Sequence, residues 1–70
     1  MRIVYTKHAE QRCKIRKLCI DEVINAVKYP DASFKRHGKY FFHKNLDRGI
    51  IEVACDRIER HIKVITVYWV

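Results

Sequence analysis

The apolar positions follow a helical period in the first third of the chain and a strand period after it. Residues 2–5, Arg-Ile-Val-Tyr, are a short β-branched and aromatic run that predicts a strand. Thr6 is suited to cap a helix, since its hydroxyl can accept from a free backbone N–H of the first turn. From Lys7 to Lys17 no Gly, Pro or Val interrupts a helix-favouring run. Its apolar face is thin, made of Ala9, Cys13 and Ile15. Asp21 is expected to cap a second helix ending at Lys28. In it Ile20, Val23, Ile24 and Val27 fall at i, i+3, i+4 and i+7, the spacing of one buried stripe. Tyr29-Pro30-Asp31 ends this helix, because the residue before proline is kept out of the helical region.

Beyond Pro30 the pattern is that of an antiparallel meander. Ala32–His37 and Lys39–Lys44 flank Gly38 as the arms of a hairpin, and residues 45–49 are loop formers. Ile50–Cys55 predicts a strand and Asp56–Arg60 a charged bend. Ile62–Val70, the longest apolar run, is expected inside the sheet. The order β-α-α-β-β-β-β predicts an α+β class, with two N-terminal helices on one face of a small, mainly antiparallel sheet.

Strict alternation on the last strand sends Ile65, Val67 and Trp69 towards the helices. Ile62, Val64, Thr66, Tyr68 and Val70 then point the other way. An apolar open face on so small a protein implies a cover: RNA, a protein partner or a second copy bound through the last strand. Within Tyr40-Phe41-Phe42 the expected core residue is Phe41, and the alternate parity is free to face RNA.

Composition narrows the class. Seventy residues, 49% hydrophobic and 33% charged, predict one globular domain over 1–70. A chain this short buries only ~60% of its unfolded surface, so its margin of stability is thin. Cys13, Cys19 and Cys55 are odd in number and include no C-x-x-C pair, so they are expected as apolar fillers in a reducing cytoplasm. No stretch approaches the ~20 apolar residues that span a bilayer, and the opening residues read as a strand rather than a signal peptide. A metal site from Cys13, Cys19 and a histidine lacks the close paired spacing of zinc ligands, and no cofactor is expected.

The net charge of +7 is unevenly distributed. Arg2, Lys7, Arg12, Lys14, Arg16 and Lys17 stand against Glu10 alone, and Lys28, Lys35, Arg36, Lys39 and Lys44 against Asp31 alone. Two basic zones separated by neutral chain fit a phosphate-binding surface if the fold brings them together. A merely solvated surface would carry such charge too.

His8 and Arg12, four apart on the first helix, stack on one face. A histidine exchanges protons near neutrality and an arginine offers a permanent fork to phosphate, so the pair resembles half of a phosphodiester-cleaving site. A helix-start histidine beside a surface arginine is the plainer reading. His37, His43 and His61 lie in or beside strands, and His43 can join the open face.

Taken in order, His8-Ala9-x-x-Arg12, Ile20-x-Glu22-Val23, Pro30-Asp31 and the closing Val64-Ile65-Thr66-Val67-Tyr68 resemble a family of small domains related to the RelE-like and BrnT-like toxins of toxin–antitoxin pairs. The resemblance implies the fold shared by RelE-, barnase-, EndoU- and colicin-type ribonucleases. It further implies metal-independent RNA cleavage, with the ribose 2′-hydroxyl attacking the adjacent phosphate to leave a cyclic phosphate. The matching positions are His8, Arg12, Thr66 and Tyr68. His8 or Tyr68 would move a proton, or Tyr68 would instead stack on a base. Arg12, with Lys35, Arg36 or Lys44, would hold the developing charge. Lys7, Arg16, Lys39 and His43 complete the expected RNA contacts, and an acidic antitoxin is the expected protein partner. The competing expectations are a non-catalytic RNA-binding module and a self-associating domain.

Overall fold

The computed structural model describes residues 2–70. Its elements are β1 (Arg2–Tyr5), α1 (Lys7–Ile15), α2 (Ile20–Lys28), β2 (Ala32–Arg36), β3 (Lys39–Asn45), β4 (Ile50–Ile58) and β5 (His61–Trp69). They form one five-stranded sheet of order β1-β5-β4-β3-β2, parallel between β1 and β5 and antiparallel elsewhere. The expected element order and α+β class are both present, and β5 lies inside the sheet.

Thr6 joins the parallel pair to the first helix. Its hydroxyl accepts from the Ala9 N–H at 3.0 Å and donates to the Ile65 carbonyl at 3.2 Å. At the far end of α1 the Trp69 indole N–H donates to the Arg16 carbonyl at 3.0 Å. These two bonds lay α1 along the second half of β5, beyond the stretch His61–Val64 that β1 covers. The helix ends at Ile15 rather than Lys17, because Lys17 turns to φ 57° and the Leu18 N–H closes back on the Cys13 carbonyl at 2.7 Å.

The second helix begins two residues earlier than expected. Cys19, not Asp21, occupies the cap, and Glu22 at the third helical position reaches back to accept from the Cys19 N–H at 2.9 Å. The expected bend at Asp56–Arg60 is instead strand through Ile58, with the reversal confined to Glu59 and Arg60. Asp56 lies opposite Lys63 and within 2.7 Å of the Lys39 ammonium, so charge on an outer face does not break the strand.

One β-bulge corrects the reading of β5. Ala54 pairs with Thr66 but Cys55 pairs with Val64, so Ile65 is an extra residue in the ladder. Parity flips across it. Val67 and Trp69 keep the helix side, and Thr66 and Tyr68 the open side, as alternation requires. Ile62 and Val64 cross to the helix side, where Val64 is buried and Ile62 packs against the core. Val70 lies beyond the strand and is exposed.

The core lies between the helices and one sheet face. Ala9 and Cys13 of α1 and Val23, Ala26 and Val27 of α2 meet Ile51, Val53, Cys55, Val64 and Val67. Both helices therefore cover the same face. Phe41 does not join this core: Tyr40 and Phe42 pack against it, and Phe41 points to the uncovered face. The hairpin register sets this, since Phe42 lies opposite the buried Val53. Cys19 is exposed, unlike the other two cysteines, and Ile15 is 66% exposed. Among the described residues no helix is long and apolar enough to cross a membrane.

Candidate functional site on the open sheet face

The face opposite the helices is a register of side chains from four strands. One row across β2, β3, β4 and β5 is Ala32, His43, Glu52 and Tyr68. The next is Phe34, Phe41, Ala54 and Thr66. The third is Arg36, Lys39, Asp56 and Lys63, in which the Lys39–Asp56 ion pair joins β3 to β4. No helix lies over these rows.

Each row has its own chemistry. In the first, His43 Nε2 and Glu52 Oε1 are 2.7 Å apart, with Tyr68 opposite Glu52 on the far side. In the second, the Phe34 and Phe41 rings stack with centroids 5.3 Å apart and 15° between planes. The Arg36 guanidinium lies over both, 5.2 Å and 5.8 Å from the centroids, a cation held by ring faces. In the third, the Lys39 ammonium bonds both Asp56 oxygens at 2.7 Å and is neutralised there. At the end of the face an open groove of about 630 Å³ is lined by His43 with Asp31, Ala32, Lys44, Asn45, Asp47 and Ile50.

Of the residues expected from sequence, Thr66, Tyr68, Arg36, Lys39 and His43 come together on this face. His8 and Arg12 sit on α1, which packs from the other side and runs beside the half of β5 that carries Thr66 and Tyr68. Arg12 Nε donates to His8 Nε2 at 3.4 Å, and no hydrogen bond among the described residues joins this pair to Thr66 or Tyr68. Lys7 is exposed at the start of α1, while Arg16 lends its carbonyl to Trp69. Lys35 lies on the helix side, its ammonium 5.4 Å from the Tyr40 ring centroid. Lys44 donates to the Tyr29 carbonyl at 2.7 Å and lies 3.7 Å from Asp31, so its charge is partly spent within the fold.

The two basic zones do not merge. Strand order places β1 and β5, with α1, at one side of the sheet and the β2–β3 hairpin at the other, so the zones flank the open face from both sides. Glu52, Phe34 and Phe41 are the members of the face that sequence reasoning missed. The signal was there: once Phe42 is taken as the core residue, parity sends both Phe41 and His43 outward.

The two buried thiols take no part in this face. Burial, foremost, raises the Cys13 pKa and pushes Cys55 up to about 12, so neither supplies a thiolate at neutral pH. Among the described residues no three His, Cys, Asp or Glu side chains are grouped to hold a metal ion.

A family model described as a domain of unknown function (DUF4258) matches residues 5–69. The chain belongs to this family. The match takes in both helices and every strand of the DUF4258 domain except most of β1, and so covers all three open-face rows. No curated protein and no solved structure matches the chain.

Proposed function

We propose that this DUF4258 domain is a metal-independent endoribonuclease of toxin type, on a RelE- or barnase-like arrangement of its elements. The observation that carries the reading is the open face itself, where Thr66 and Tyr68 lie beside a stacked aromatic pair crowned by Arg36. Phe34 and Phe41 are half-buried on a face no helix covers. Rings on an open sheet grip unpaired bases with little sequence choice while flanking cations draw in the phosphate backbone. The 2′-hydroxyl would then attack its own phosphate, and His8 and Arg12 would act only on an RNA that wraps the edge of β5, since α1 packs on the other side of the sheet. An acidic partner protein is the natural restraint on such an activity, and the basic flanks suit it.

Incubation of the purified protein with labelled RNA in the presence of a chelator is the direct test. Products ending in a cyclic phosphate are expected. Folded protein that cuts none of several RNAs would overturn the reading.

A second reading is favoured by the Phe34–Phe41 stack and Arg36, which need no proton transfer to work. On it the domain binds single-stranded RNA without cleaving. Tight, salt-sensitive binding without products would distinguish it.

A further inference from the structure

His43 and Glu52 face each other across β3 and β4, Nε2 to Oε1 at 2.7 Å. Their side chains are only 30% and 12% exposed, although no helix covers this face. An ordinary surface ion pair keeps both partners in water and gains little from its geometry. Here the histidine is held from two sides. Phe34 meets the His43 ring at 83° with centroids 5.3 Å apart, and Glu52 fixes the opposite nitrogen. A carboxylate that accepts from Nε2–H selects the tautomer whose Nδ1 carries a lone pair. No side-chain hydrogen bond within the described residues occupies Nδ1.

The groove of about 630 Å³ that His43 lines at the end of the sheet has room for a nucleotide and carries Lys44 together with Asp31 and Asp47. The stacked Phe34 and Phe41 rings occupy the next row, in place to hold a neighbouring base. Tyr68 follows Glu52 in the same row on β5. Base, platform and hydroxyl are thus carried by strands rather than loops, which fixes their spacing.

We propose that His43 is the general base of RNA cleavage on this face and that Glu52 is the positioning residue that holds it. The proposal rests on the ribonuclease reading above and adds residues that reading does not use. In the step, the ribose 2′-oxygen bonds to phosphorus as its proton passes to His43 Nδ1. The bond from phosphorus to the 5′-oxygen breaks, and the departing oxygen takes a proton from the Tyr68 hydroxyl. His43 then loses its proton to solvent and Tyr68 regains one, so no oxidant or reductant is involved. Glu52 keeps its hold on Nε2 throughout and faces the charge that forms on the ring.

The test compares wild type, His43→Ala, His43→Asn, Glu52→Gln and His61→Ala in single-turnover cleavage of one RNA. Affinity is measured on the same RNA with a 2′-deoxy nucleotide at the cut, and melting shows which variants are folded. His43→Ala and His43→Asn should slow cleavage by about 10²-fold or more, with affinity kept within about threefold. Added imidazole should restore part of the His43→Ala rate, a response that a structural role would not give. Glu52→Gln should slow cleavage without weakening binding, and nitrogen NMR should show His43 losing its Nε2–H preference. His61→Ala, at the other end of the face, should cut as wild type does. Cleavage by either folded His43 variant within threefold of wild type, or no imidazole rescue, overturns the proposal while leaving the ribonuclease reading intact. A wild-type protein that cuts nothing overturns both.

Discussion

Arg48, in the turn between β3 and β4, grips Glu22 of α2 with both arms, Nη1 to Oε2 at 2.6 Å and Nη2 to Oε1 at 2.8 Å. The same carboxylate accepts from the Cys19 N–H, and the same guanidinium lies 5.4 Å from the Trp69 ring centroid and donates to the Lys17 carbonyl at 3.3 Å. One ion pair thus completes the first turn of α2, fastens the β3–β4 turn and covers the end of β5. A two-armed pair with fixed partners on both sides is the kind that contributes to stability, unlike most surface ion pairs.

The pair makes stability depend on acid. The Arg48 hydrogen bonds, followed by the Cys19 N–H, lower the Glu22 pKa to about 2 in the folded protein. An unfolded chain binds that proton near pH ~4.3. Between these values the unfolded state holds more protons, so this contribution is complete above pH ~4.3 and is lost as the pH falls towards 2. Glu22→Gln should therefore melt below wild type at pH 7, with the gap closing in acid. Thermal melts from pH 7 to pH 2 check this. A gap that stays constant across that range would remove Glu22 as its source.

The two glycines should respond differently to alanine. Gly49 has φ 147°, and a β-carbon there would stand 2.9 Å from the Trp69 ring. Gly38 has φ 77° with nothing within 4 Å. Gly38→Ala meets only the backbone cost of a left-handed turn, ~1–2 kcal/mol. Gly49→Ala adds displacement of a ring that Arg16 and Arg48 hold in place, and should cost ~2–4 kcal/mol. Urea unfolding of both variants measures the order, which should not reverse.

The cysteines should react one at a time. Cys19 is exposed, Cys13 and Cys55 are buried, and burial pushes the Cys55 thiol up to about 12. A thiol reagent under native conditions should label Cys19 at once and the other two only as the chain opens. Mass spectrometry of labelled peptides reads the sites. Early labelling of Cys55 would contradict the buried strand on which it lies.

The elements were legible from sequence because their signals are local: a capping threonine, one apolar stripe from Ile20 to Val27, a proline stop and a Gly-centred hairpin. What stayed hidden depends on pairing. The bulge at Ile65 leaves no trace in the alternation of β5, because every residue from Ile62 to Val70 other than Lys63, Thr66 and Tyr68 suits either face. Three adjacent aromatics at 40–42 fit both parities, so sequence alone favours Phe41 for the core, and only the partner strand decides between them. His8 and Arg12 were visible as a pair on one helix. Glu52 was not, since its meaning comes from His43, nine residues away in sequence and 2.7 Å away in space.

The aromatic rows give a final prediction that stands whether or not RNA is cut. Phe34 and Phe41 stack on the open face with Arg36 over both rings, whereas Lys35 is turned to the helix side over Tyr40. Base–aromatic stacking is worth ~1–3 kcal/mol per base, so Phe34→Ala should weaken binding of single-stranded RNA by about 5- to 150-fold. Arg36→Ala should weaken it as well and lower the slope of log affinity against log salt by about 1, the signature of one lost phosphate contact. Lys39→Ala should change that slope less, because Asp56 already neutralises the ammonium. Lys35→Ala should do less still. Fluorescence anisotropy with a short labelled RNA at several salt concentrations separates these effects. Affinity that falls with Lys35→Ala and is indifferent to Phe34→Ala would place the RNA on the helix side and remove the open face as its site.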